Sequence, residues 1–272
     1  MKPGERTRGP AADLIQRAAE WMAGSRFAVS LTGAGLGTES GIPDFRSPGG
    51  IWSRLDRNDF TYRRYVNDAE ARVRYWRLSL PLYARTREAV PHAGHRALTE
   101  LRARGILRRI ITQNTDGLHQ KAGFPEGDLI ELHGTSHWVR CLACGRREDR
   151  ESVNRRVEGG ELPPHCPACG GVQKTDAVFF GEGIPPARME AANEWAARAD
   201  VFLVVGTSLA IQPAAGLPAR ARAGGGKVII VNREATRLDA AADILLRGNA
   251  GEILPRLARE TASRSARSAG AR

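Results

Sequence analysis

The chain has 272 residues, 42% of them apolar, and a net charge of +11. That length buries a substantial core, as one large domain or a domain with a smaller module, and the apolar content excludes a disordered chain. No run approaches the roughly 20 apolar residues of a membrane span, and the opening MKPGERTRGP lacks the apolar centre of a signal peptide, so a cytoplasmic address is expected. Nearly half of the basic excess falls on the two ends, read here as a flexible basic arm (1–12) and a disordered, low-complexity basic tail (259–272). The charge admits a nucleic-acid partner, yet no basic helix or aromatic–basic interleaving marks a binding face.

Residues 11–23 place Leu14, Ile15, Ala18, Ala19 and Met22 at helical spacing, and 27–31 reads as a buried strand. The stretch TGAGLGTESGIPDFRSPGGIW follows, from Thr32 to Trp52. Gly33, Gly35 and Gly37 predict a tight turn that lets a ligand approach the backbone, with free N–H groups to cradle phosphate. Asp44, Phe45 and Arg46 add an acid, an aromatic face and a cation. A dinucleotide fingerprint asks for a third glycine where Thr38 stands, and for an acid closing a strand about 20 residues on. Asp56 lies near that spacing, but 49–54 does not read as a strand, so an ordinary nicotinamide dehydrogenase is a poor fit.

Residues 54–90 read as a helical insertion, with Tyr62, Tyr65, Tyr75, Trp76 and Tyr83 scattered among arginines and expected mostly in core packing. Pro91 opens a helix that runs to Gly105. A strand at 106–112 ends on Gln113, Asn114, Thr115, Asp116, Gly117, Leu118 and His119, and a shorter one at 129–132 ends on His133. Three further strands, 201–205, 227–231 and 243–246, end on Gly206-Thr207-Ser208, on Asn232-Arg233-Glu234 and on Gly248-Asn249-Ala250. Helices at 187–199, 213–223 and 251–260 complete the pattern. Strands alternating with helices, most of them continuously apolar, predict an α/β fold with a parallel sheet covered on both faces. Ligands bind at the carboxyl ends of such strands, where every polar cluster named above falls, so one extended pocket is expected.

Cys141, Cys144, Cys166 and Cys169 are the whole cysteine content. Two CxxC knuckles about two dozen residues apart can close a tetrahedral four-thiolate zinc site. Gly145 and Gly170 follow each knuckle where a tight turn is needed. Four thiolates leave no open position, so the zinc is expected to be structural.

With these pieces in place the chain resembles the sirtuins, NAD-dependent protein-lysine deacylases, of the bacterial type. The resemblance spans about residues 13–258 and rests on GAGLGTESGIPDFRSPGGIW, TQNTDGLHQKAG, LHGT, the two CxxC pairs, VFFGE, VGTSL, VNRE and GNA. It implies a Rossmann-like part (13–53, 91–136, 174–258) and a smaller domain made of the insertion (54–90) and a zinc module (137–173). NAD and an acyl-lysine protein or peptide would meet between them. The acyl oxygen would attack the ribose carbon as nicotinamide leaves. His133 would then activate a ribose hydroxyl, and water would release free lysine and O-acyl-ADP-ribose.

The same resemblance implies that Asn114 and Asp116 contact nicotinamide and ribose, that Gln113, Asp44 and Phe45 lie against the cofactor, and that Arg46 meets a phosphate. Gly33, Ala34, Gly35 and Thr38 would line the diphosphate. Gly206, Thr207, Ser208, Asn232, Glu234 and Ala250 would hold the adenosine half. Val178, Phe180, Gly181 and Glu182 would belong to a segment that pairs with the substrate as a strand, with Phe180 lining an apolar acyl-lysine tunnel; on residues alone, a core strand at 178–182 is an equal alternative. His119 matches a motif but is read as structural. Gly37, Thr115 and Thr175 depart from the usual serine, branched aliphatic and proline. The Tyr-x-x-Arg that marks a taste for acidic acyl groups falls loosely at Trp76 and Ser79, so acetyl or a longer apolar acyl is expected. Two other readings remain: a mono-ADP-ribosyltransferase on the same scaffold, and a non-enzymatic zinc-ribbon nucleic-acid binder.

Overall fold

The computed structural model describes residues 11–46, 48–53 and 55–270. Most of the expected basic arm therefore lies outside the described residues. In chain order, α1 (Ala11–Gly24) leads into β1 (Ala28–Thr32) and the short α2 (Ala34–Gly37). The insertion folds as α3 (Tyr62–Asn67) and α4 (Ala69–Glu88), before α5 (Ala93–Ala103), β2 (Leu107–Thr112), α6 (Leu118–Lys121) and β3 (Leu129–Glu131). Then come β4 (Gly134–Cys141), β5 (Arg147–Asp149), α7 (Arg150–Glu158) and β6 (Gln173–Ala177). The chain returns through α8 (Pro186–Arg198), β7 (Val201–Val205), α9 (Leu217–Ala223), β8 (Lys227–Asn232), β9 (Ile244–Arg247) and α10 (Ala250–Gly270).

Six strands form one parallel sheet in the order β3-β2-β1-β7-β8-β9. Period-two alternation divides its side chains between two faces. Val201, Leu203 and Val205 of β7 join a core with Leu14, Met22, Leu98 and Leu257 from α1, α5 and α10. Phe202 and Val204 point the other way, onto Ala192, Ala196, Leu217 and Ala221 of α8 and α9. Both faces are thus covered, which is why the strands read as continuous apolar runs. The order reverses between β1 and β7, a topological switch point where the flanking loops diverge and open a crevice.

A second, antiparallel sheet, β5-β4-β6, has its own core. Tyr65, Tyr75 and Trp76 of the insertion pack there on Val139, Val153, Val157 and Phe179. The insertion aromatics are core, as expected, and they weld α3 and α4 to the cysteine module.

Two expectations are corrected. The tail does not stop being helical near 260, since α10 runs to Gly270. The core-facing stripe of Ile253, Leu254, Leu257 and Ala258 continues to Thr261, which is buried and donates to Leu257 O at 2.6 Å. Ala and Arg are good helix formers, so this low-complexity composition does not oppose a helix already anchored. The segment 178–182 is not a core strand: β6 ends at Ala177, and only Phe180 makes an isolated bridge, to Thr61.

His95 and His119 stack edge-to-face beneath the sheet, 5.3 Å between ring centroids. Among the described residues neither ring nitrogen of His95 has a hydrogen-bond partner, while His119 bonds Thr32 Oγ1 at 2.9 Å, the structural role expected for it. Burial drives His95 down to about 2 and His119 to about 4, from 6.5. Below pH 6.5 the unfolded chain takes up protons that the folded chain refuses, so stability is intact above 6.5 and falls as pH drops towards 4. Each histidine should cost about 2 kcal/mol at pH 5. A pH series of melting curves on wild type and His95→Phe checks this: the variant's acid slope should be shallower.

Candidate active site

The strand ends of the switch point meet in one cavity of about 570 Å3, within the usual range for a small-ligand site. Each residue expected in cofactor or substrate contact lines it: Gly33, Ala34, Gly35, Thr38, Asp44, Phe45 and Arg46 after β1; Gln113, Asn114 and Asp116 after β2; His133 after β3; Val178, Phe180, Gly181 and Glu182 after β6; and Gly206, Thr207, Ser208, Asn232, Glu234 and Ala250 after the last strands. The structure brings all of them together.

The glycine loop reaches this arrangement differently from the expected turn. It winds into α2, and Gly33 is extended at φ −141°. Its glycines allow backbone to meet backbone: a Cβ on Gly33 would lie 2.7 Å from Thr207 Cβ, and one on Gly35 2.9 Å from Gly206 O. The Gly33 and Gly35 N–H groups are not free, because they donate to Val205 O and Gly206 O at 3.0 and 2.8 Å. At Gly37, a side chain would come within 3.4 Å of Asp116 Oδ2.

His133 sits where the chain leaves the large sheet for the small one. The next residue, Gly134, has φ +73°, and a Cβ there would overlap Asp176 O, so only glycine makes the crossing. His133 Nδ1–H donates to Gln113 O at 3.1 Å, which leaves Nε2 as the acceptor. Burial lowers its pKa from 6.5, opposed by the bond to Gln113, so the ring is neutral at pH 7. Gln113 also sends its side-chain amide to Thr207 Oγ1, 3.0 Å, and so ties β2 to β7 across the crevice. Asn114 Nδ2 donates to Gly33 O at 3.1 Å, leaving its carbonyl oxygen for a ligand. Asp116 is buried, which raises its pKa, and accepts from Leu118 N at 2.9 Å. Arg46 donates to Ser208 Oγ at 3.2 Å, and Phe45, 42% exposed, leans on Trp52 with centroids 5.3 Å apart.

Along 178–182, Val178 N–H donates to His133 O, and Phe180 exchanges backbone bonds with Phe60 O and Tyr62 N–H. Val178 O has no hydrogen-bond partner among the described residues. Thr175 lies buried, 2.5 Å from Tyr75 Oη, and Thr115 Oγ1 lies 2.9 Å from Ser136 Oγ. Tyr75, Tyr83 and Arg150 also line the cavity, with no site role expected of them from the sequence, and so does Ser79, where the Tyr-x-x-Arg position falls. A signal existed for Arg150, which shares the inward face of α7 with Val153 and Val157 at helical spacing.

The four cysteine Sγ atoms lie within 4.8 Å of one another. Cys141–Cys169 and Cys144–Cys166 are 3.6 and 3.7 Å apart, far beyond a disulfide bond and close to the ~3.8 Å edge of a zinc–thiolate tetrahedron with ~2.3 Å bonds. Gly145 and Gly170 turn at φ +74° and +69°, the tight turns expected of them. The cluster fits a structural zinc with no open position. Metal analysis should find one zinc per chain. Cys166→Ser should lose it and lower the melting temperature by about 10 °C or more; a metal-free variant that melts like wild type would show that the site is not structural.

A model of the Sir2 family matches residues 33–213. An NAD-dependent protein deacetylase of Rhodopseudomonas palustris is 41% identical over 240 residues, covering 88% of this chain and 94% of that protein. An NAD-dependent protein deacylase of Pyrobaculum aerophilum is 41% identical, covering 90% of this chain and 95% of that one. A Sir2 structure with a deacetylated p53 peptide and 3′-O-acetyl ADP ribose superposes with a TM-score of 0.84 at 33% identity, covering 90% of this chain and 98% of its own. No described helix is long and apolar enough to cross a membrane.

Proposed function

The chain belongs to the Sir2 family, and from that premise we propose how its residues perform NAD-dependent protein-lysine deacylation. NAD, when bound, supplies a ribose carbon that turns electrophilic as nicotinamide leaves. His133 is the general base: neutral at pH 7 and fixed by Gln113 O, it presents Nε2 to a ribose hydroxyl. Asn114, held by Gly33 O, offers its side-chain oxygen to a ribose hydroxyl or a water. Asp116, buried beside it, receives the nicotinamide carboxamide.

Gly33, Ala34, Gly35, Thr38 and Arg46 take the diphosphate, with Arg46 steadied by Ser208. The exposed ring of Phe45 shields the reacting carbon from water, and Asp44 holds that loop by accepting from Arg46 N–H at 2.9 Å. Gly206, Thr207, Ser208, Asn232, Glu234 and Ala250 hold the adenosine half; Asn232 is braced by its bond to Glu234 O, 2.8 Å. The substrate peptide adds as a strand beside 178–182, where Val178 O is left to accept the lysine amide N–H. Phe180 walls that approach, with Gly181 and Glu182 closing the segment. The four free cysteines, set as a metal site and not as disulfides, support a reducing compartment, read here as the cytoplasm.

One observation carries this reading: Nε2 of His133, without a hydrogen-bond partner among the described residues, shares a cavity with Asn114, Asp116 and the β1 loop. The test combines labelled NAD with an acetyl-lysine peptide. Nicotinamide, free lysine and O-acetyl-ADP-ribose are expected, whereas label on protein would favour ADP-ribosyl transfer. His133→Ala should lower kcat about 10²- to 10⁴-fold with an unchanged melting temperature; wild-type turnover in that variant would remove His133 from its role.

A further inference from the structure

The cavity has a charged wall that the chemistry above leaves unused. Arg150 is 1% exposed yet lines the cavity, at the first position of α7. A cation is poorly placed there, because the positive end of the helix dipole opposes it. Its Nε–H donates to Asn154 Oδ1 at 2.7 Å and an NH2 hydrogen to Ser79 Oγ at 2.8 Å. The guanidinium lies 4.5 Å from the centroid of the Trp76 ring and 5.1 Å from that of Tyr83.

These are neutral partners. Arg150 makes no ion pair with a carboxylate among the described residues. Its acidic sequence neighbours are engaged with other groups: Asp149 caps α7 through Ser152 N–H, and Glu151 pairs with Arg87 and reaches the Tyr83 hydroxyl. A guanidinium keeps its proton in proteins, so a full positive charge is held out of water with no counter-charge. Burying a charge without a partner is costly. Hydroxyls gather at the same wall: Tyr75, bonded to Thr175, together with Tyr83 and Ser79. This stretch of wall is polar in a cavity otherwise lined by residues such as Phe60, Leu82 and Phe179. Thr175 also lies on β6, the strand that runs directly into the proposed substrate segment.

We propose that Arg150 receives the terminal carboxylate of a dicarboxylic acyl chain on lysine, of the succinyl or glutaryl kind, and that the enzyme removes such acyl groups in preference to acetyl. This rests on the deacylase reading and deepens it. The expectation of an acetyl or apolar acyl looked for an arginine on the insertion helix; here a guanidinium arrives from α7 and bonds Ser79, where that arginine was sought. The reaction keeps its balance. The lysine–acyl C–N bond breaks and lysine leaves as the amine. The ribose–nicotinamide bond breaks with its electron pair on nicotinamide. One water is consumed, and the acyl group ends as an ester of ADP-ribose with its distal carboxylate unchanged.

One peptide sequence carrying acetyl-, succinyl- or glutaryl-lysine, incubated with full-length protein and NAD, tests this by kcat/KM. Wild type should favour the acidic acyl peptides at least tenfold. In Arg150→Met the ratio of succinyl to acetyl kcat/KM should fall about 30-fold or more, with partial rescue in Arg150→Lys. The ratio is read within one preparation, so lowered stability of a variant does not mimic the effect, and the wild-type preference needs no variant. Turnover of acetyl-lysine in preference to succinyl- and glutaryl-lysine would overturn the proposal and leave deacylation standing. An equal loss for all peptides in Arg150→Met would assign Arg150 a purely structural role. Failure to consume NAD with any peptide would overturn both.

Discussion

The crevice depends on two stretches of backbone touching with nothing between them. Gly206, at φ +61°, ends β7 so close to the turn after β1 that a Cβ would overlap Leu36 N. Gly33 and Gly35 press back from the other side, and their N–H groups bond Val205 O at the end of β7 and Gly206 O just after it. This contact lies at the switch point, where the chain order of the sheet reverses. It fixes the floor on which the β1 loop, Gln113 and Thr207 stand, and a side chain at these three positions would wedge the floor apart.

A second close approach sets the position of the imidazole. Gly134 lets the chain turn from the large sheet into the small one against Asp176 O, and His133 is carried on that corner. The small sheet in turn is held by aromatic packing from the insertion and by the knot of four thiols. His133, the 178–182 segment and the cysteine module are therefore linked through few residues: His133 O accepts from Val178 N–H, and β4 runs from Gly134 to Cys141.

Much of this was legible in the sequence because it is written in local patterns. Continuous apolar runs such as 201–205 announce strands buried on both faces, and the polar residues closing each run lie at one edge of a parallel sheet by topology alone. The paired CxxC knuckles state their chemistry in their spacing. What was not legible needed neighbours distant in the chain. The Gly33 and Gly35 N–H groups look free in sequence and are taken by β7. Arg150 reads as one more arginine among many, and its meaning comes from Ser79, 71 residues away. The end of α10 was obscured by composition: a serine- and arginine-rich tail looks disordered until Thr261 is seen continuing the stripe of Leu254 and Leu257.

Arg150 stands six residues after Cys144, at the head of a helix that grows out of the thiolate knot. The loops after β1, β2 and β7 are built on the other sheet, around separate cores. A metal held by those thiolates would stand behind the cavity wall that carries Arg150, and through β4 behind the corner that carries His133. Stripping it would loosen that wall and that corner before it reached the six-stranded sheet, whose core is separate.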